Sequence, residues 1–180
     1  NMKREAMAVQ IISNYALPFE KSKKYNPSVQ FVYTYVSGDT DNDSRIEPSD
    51  TDDITYKGWE PLYENQGGGT IYNSLFDLTN SHIYVLSGQM SPMEDVTAKV
   101  STTWIWLDKN LDPVLYEDAD NSKKGVDLFT LRQPNGSTLN PMVTNERFVG
   151  WEIDGDIVID YTEDVQLGFS AGWFFPGPFF

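Results

Sequence analysis

The chain has 180 residues, no cysteine and a formal net charge of −14, with an isoelectric point near 4.2. The missing cysteines exclude a disulfide framework and any thiolate metal site. The acidity speaks against nucleic acid, or anionic lipid head groups in general, as the main partner. Ten Tyr, ten Phe and five Trp point to β-structure with aromatic surfaces. No apolar run reaches the roughly 18 residues of a membrane helix, but strands closed into a barrel can also cross a bilayer. No signal peptide is visible, and the opening Asn reads as a cut or processed terminus.

Six runs alternate with period two. The first, Arg4 to Leu17, carries Met7, Val9, Ile11, Tyr15 and Leu17 on one face and Arg4, Gln10 and Asn14 on the other. A short basic turn, "PFEKSKKYN", leads to the second run, Ser28 to Val36, with Val29, Phe31, Tyr33 and Tyr35 on one face.

The chain then enters "GDTDNDSRIEPSD". Counted from Asp39, a calcium loop takes ligands at positions 1, 3, 5, 7, 9 and 12. Those positions hold Asp39, Asp41, Asp43, the Arg45 carbonyl, Glu47 and Asp50. Ser44 replaces the usual Gly, Asp50 replaces the longer Glu, and no helices flank the loop, so this is not an EF-hand. Nine acids and two bases lie between Asp39 and Glu64, a net −7 that a hard dication would offset. The expectation is a Ca2+-stabilised loop like the single calcium loops of dockerin-type modules.

The third run, Ser81 to Met90, contains the only histidine, His82, for which a structural or lumen-lining role is expected. "SPME" leads into the fourth run, Asp95 to Leu107. It sets Val96, Ala98, Val100, Trp104 and Trp106 against Thr97, Lys99, Ser101 and Thr103. The loop that follows holds Glu117, Asp118, Asp120 and Asp127 without ligand spacing, beside Lys123 and Lys124. The fifth run, Arg147 to Tyr161, is the most informative. Val149, Trp151, Ile153, Ile157, Ile159 and Tyr161 alternate with Glu152, Asp154, Asp156 and Asp160. The sixth, Asp164 to Phe175, sets Val165, Leu167, Phe169, Ala171, Trp173 and Phe175 against Gln166, Gly168, Ser170 and Gly172.

Two features join these runs into one architecture. Large apolar residues fill one face, with Trp or Tyr at the ends, while the other face is polar or small. The connections run short, long (38–80), short, long (108–145), short. Both are expected of an all-β, antiparallel up-and-down transmembrane β-barrel, with short periplasmic turns and long external loops. Six strands do not close a useful pore, so the remaining strands of the same barrel are expected outside residues 1–180. On this reading Arg4, Lys99, Arg147, Glu152, Asp154, Asp156 and Asp160 line the pore. The partners expected are outer-membrane lipid and small solutes, with no nucleic acid. The alternative is a soluble calcium-binding β-sandwich, which could bind carbohydrate through its Trp and Tyr residues.

The segments "GGGTIYNSLFDLTNSHIYVLSGQMSPMEDVTAKV" and "VGWEIDGDIVIDYTEDVQLGFSAGWFFPG" resemble the C-terminal part of the alginate export family. That resemblance implies a bacterial outer-membrane barrel of roughly eighteen strands, of which this chain would supply the late ones. It also implies export of an anionic polysaccharide through a basic pore. The acidic face of the fifth run departs from that pattern and favours small solutes or another polymer.

No enzyme is expected. "WEIDGDIVID" offers Glu152 and Asp154 of the laminarinase-type E-x-D-x-x-E, but its last position is Ile157. His82 has no nucleophile elbow near it in sequence. "ENQGGGT" lacks the G-K-[ST] of a phosphate loop. It is read as a source of flexible turns, or as what lets the long loop fold into the pore mouth.

Overall fold

The computed structural model describes residues 2–18, 24–38, 54–61, 68–110 and 146–180, with short strands at 115–117, 123–125, 131–132 and 138–139. Six long strands carry the fold: β1 (Ala8–Ala16), β2 (Ser28–Val36), β3 (Ser81–Met93), β4 (Val96–Leu107), β5 (Phe148–Thr162) and β6 (Val165–Pro176). They form one antiparallel sheet in chain order, so each strand pairs with its sequence neighbours. The sheet is open, with β1 and β6 at its edges. A single four-residue helix, α1 (Tyr72–Leu75), is the helix among the described residues.

The hairpin β3–β4 turns on Glu94–Asp95 and β5–β6 on Glu163–Asp164, with pairing up to Met93↔Val96 and Thr162↔Val165. These tight turns and the 17–27 connection share one end of the sheet. The long connections share the other.

Because the side-chain period is two, register sorts the sheet into an apolar and a polar face. On the apolar face one row runs Tyr35, His82, Trp106, Phe148, and the next runs Tyr33, Tyr84, Trp104, Trp151, Phe175. Both rows lie toward the long loops. Further along the strands come aliphatic residues such as Leu86, Val100, Ile153, Ile157 and Leu167, and Tyr15 and Tyr161 stand nearest the short turns. The aliphatic and turn-end side chains stay exposed, as do Phe169 at 63% and Trp173 at 65% on β6, while most of the aromatic rows are half-buried.

Among the described residues the polar face is covered only at its long-loop end. There Val36, Ile83, Ile105 and Val149 of the sheet pack with Tyr72 and Leu78, flanked by Trp59, Phe76 and Phe174.

Two expectations change. The first run does not extend as one strand from Arg4, because Met2–Arg4 pairs in parallel with Ile54–Tyr56 and residues 5–7 are outside any strand before β1 starts. Val149 is not on the apolar face. A bulge between Phe148 and Gly150 inserts it as an extra residue and turns it into the core. Gly150 permits this at φ 148°, where an added Cβ would lie 2.4 Å from the Phe175 carbonyl oxygen.

Candidate functional site

Residues 68–80 form a strap across the polar face. Gly68 lies so close to the sheet that a Cβ there would meet Val85 Cγ2 at 2.5 Å. Gly69, at φ +87°, lies over the Glu152 carboxylate, and a Cβ there would meet its Oε2 at 2.5 Å. Only glycines allow backbone and carboxylate to approach this closely.

The next three amides are directed at β5. Ile71 N–H donates to Glu152 Oε1 at 2.6 Å, Tyr72 N–H to Glu152 Oε2 at 2.9 Å, and Thr70 N–H to Asp154 Oδ1 at 3.3 Å. Glu152 is fully buried and Asp154 nearly so. Gly172 on β6 leaves the space for both, since a Cβ there would lie 2.6 Å from Asp154 Oδ1 and 3.3 Å from Glu152 Oε1. The Tyr72 ring is buried and its hydroxyl lies 3.3 Å from Ser81 Oγ. Burial pushes the Tyr72 phenol above its usual range.

Beyond the strap the polar face is wet. Ser170 Oγ donates to Asp156 Oδ1 at 2.6 Å and Gln166 Nε2 to Asp160 Oδ1 at 2.7 Å. Lys99 is the register partner of Asp156 on β4. Gln10 donates to Thr34 and Gln30 to Asn14 across β1 and β2. The wall is thus a lattice of cross-strand polar pairs with one strand of carboxylates.

Glu152, Asp154, Asp156, Asp160 and Lys99 therefore share this face. Arg4 and Arg147 do not. Arg4 belongs to the short parallel pair, where it bonds to Glu60 at 2.6 Å. Arg147 precedes β5 and lines a hollow on the apolar side with His82, Tyr84, Trp104, Trp106 and Leu107. All six candidate calcium ligands, Asp39, Asp41, Asp43, Arg45, Glu47 and Asp50, lie outside the described residues. Among the described residues no group of three or more His, Asp or Glu side chains is placed to hold a metal ion.

A second network was not apparent in the sequence. At the long-loop end of the apolar face, Tyr33 Oη lies 2.9 Å from His82 Nδ1, and His82 Nε2 lies 3.4 Å from Asp108 Oδ1. Asp108 also accepts from Gly38 N–H at 3.0 Å and Tyr35 O–H at 3.3 Å. His82 is thus a structural brace, on the face opposite to the polar wall. Asp108 directly follows β4 and ties the ends of β2, β3 and β4 together. An Asp at a strand end was the only signal for it.

No family model, curated protein or solved structure matches this chain. The class that fold and site define is an all-β protein with a six-stranded antiparallel sheet, one exposed apolar face and one polar face under a strap.

Proposed function

We propose that the chain is part of an outer-membrane β-barrel channel whose polar face lines the passage and whose strap folds inward to narrow it. The carrying observation is the apolar face, exposed on every one of the six strands and ordered from aromatic to aliphatic to aromatic. In water such a continuous patch would far exceed the few hundred Å² that soluble monomers expose. Against lipid it is the expected surface, with aromatic residues at the two interfaces and aliphatic ones between them.

Strand length agrees. The 12 residues of β4 span about 40 Å at about 3.3 Å per residue, which a tilt of about 45° reduces to roughly 28 Å of depth. A soluble sandwich would need a second layer on the apolar face, yet the strap covers the polar one. The edge strands β1 and β6 offer unpaired backbone to the remaining strands of the same barrel. The passage serves small solutes or an exported polysaccharide, as the alginate-export resemblance suggests, and performs no chemistry. A calcium ion at 39–50 belongs to this reading on ligand spacing alone. Added calcium is expected to raise the melting temperature of the full-length protein, and an unchanged value would remove the ion from the proposal.

The deciding experiment is fractionation and planar-bilayer conductance of the full-length protein. Detergent-dependent recovery from the outer membrane and discrete conductance steps are expected. Recovery as a soluble protein without detergent would end this reading.

A further inference from the structure

The outward face carries a concave feature at the level where aromatic rows meet the long loops. It is a hollow of about 550 Å³ walled by Tyr84, Trp104 and Trp106, with His82, Leu107 and Arg147 toward the loops. Tyr84 and Trp106 meet edge to face at 5.5 Å, and Trp106 packs on Phe148 at 4.8 Å, so the walls are fixed by their neighbours. His82 is held in place by Tyr33 and Asp108.

Arg147 is the cation of this hollow. Its Nε donates to Asn110 Oδ1 at 2.9 Å, which orients the guanidinium and leaves both terminal amino groups to bond elsewhere. Among the described residues it has no carboxylate within ion-pair distance. The nearby Asp108 is committed to Gly38, Tyr35 and His82. Along the strands from the hollow, Gly88 and Gly155 flank Val100 on the same face, and a Cβ at either glycine would meet nothing within 4 Å. The sheet surface beyond the hollow is thus open on both sides of Val100, in the aliphatic zone.

We propose that this hollow holds a membrane lipid through its phosphate. The phosphate accepts from the Arg147 guanidinium, the glycerol or sugar part lies on the Trp104 and Trp106 rings, and an acyl chain lies against the aliphatic zone beside Val100. The inference rests on the membrane reading above. An outward hollow at this level is in contact with lipid by position, and Arg147 selects for an anionic phosphate. The net charge of −14 repels anions in bulk. A lipid already held in the membrane arrives at high local concentration, and the pairing is local.

The test is native mass spectrometry of the full-length protein in mild detergent, with added phosphatidylglycerol, the phosphate-free lipid diacylglycerol, or inorganic phosphate. Wild type is expected to retain phosphatidylglycerol over diacylglycerol, and Arg147→Gln to lower that retention about tenfold. Arg147→Lys should recover part of it, and inorganic phosphate alone should not stay bound, because it lacks the acyl chain that lies on the aliphatic zone. Equal retention of phosphatidylglycerol by wild type and Arg147→Gln would overturn the proposal, as would equal retention of both lipids by wild type. A detergent-dependent membrane protein that keeps no lipid sinks this inference alone. A protein soluble without detergent sinks the membrane reading.

Discussion

Glu152 and Asp154 sit on the same strand and face as Asp156 and Asp160, and yet the two pairs have opposite surroundings. Glu152 and Asp154 are buried and accept three backbone amides from the strap. Asp156 and Asp160 accept only single side-chain donors, from Ser170 and Gln166, in exposed pairs. Alternation decides which face a residue takes. What then happens to that residue depends on which segment covers the face. The first pair is an anchor for backbone. The second pair, with Lys99 as the register partner of Asp156, is the part of the wall that a solute would meet in the proposed channel.

The sharpest way to break this contrast is Glu152→Ala. It strands the Ile71 and Tyr72 N–H groups in a buried site. An unsatisfied buried donor costs about 1–3 kcal/mol, so a loss of roughly 3 kcal/mol is expected in urea unfolding from lipid vesicles. The strap should also become open to protease. The matching change in the wet pair, Asp160→Ala, should move the unfolding midpoint by less than about 0.5 kcal/mol. Equal losses would mean that the strap adds nothing to the burial of Glu152.

Next in size is Gly69→Ala. The substitution places a side chain at φ +87° and drives its Cβ into the Glu152 carboxylate. A cost of about 2 kcal/mol is expected, from strain and from a lifted strap. Gly168→Ala is its control on β6, since a Cβ there meets nothing within 4 Å. It should be close to neutral. Gly172→Ala, only four residues on, should resemble Gly69→Ala because its Cβ would meet Asp154 Oδ1 at 2.6 Å.

Period-two reading located the six strands well. The second run coincides with Ser28–Val36, and the fourth differs from β4 by one residue. Both faces were legible because large apolar residues repeat at every second position. The bulge at Val149 was not, since an inserted residue leaves composition unchanged and shifts only the phase; Gly150 was its one trace. The strap was legible only as a glycine run. That it lies over Glu152 depends on a contact more than eighty positions away in sequence, which no local pattern encodes. The side that Arg147 takes was not legible for a related reason. Arg147 stands at a strand end, where phase no longer determines the side, and the rim aromatics take it to the apolar face.

The smallest structural effect should come with a clear functional one. Asp156→Asn keeps the acceptor for Ser170 Oγ and removes one charge from the half of the wall that the strap leaves open. Stability should change by less than about 0.5 kcal/mol, because the pair is exposed. In a planar bilayer the ratio of cation to anion permeability should fall, since wall charge sets the local concentration of counter-ions in a narrow passage. Raising the salt should shrink the difference from wild type, as screening shortens the reach of any single charge. The comparison with Glu152→Gln is what gives the result its meaning. That variant removes a charge of the same sign from the same strand, but one held beneath the strap and already facing two amide donors. If the anchor and the wall are separate, Asp156→Asn changes selectivity at constant stability, and Glu152→Gln changes stability and the size of the conductance step. If both variants shift selectivity equally, the strap does not shield Glu152 from the passage, and the division of the polar face into anchor and wall fails.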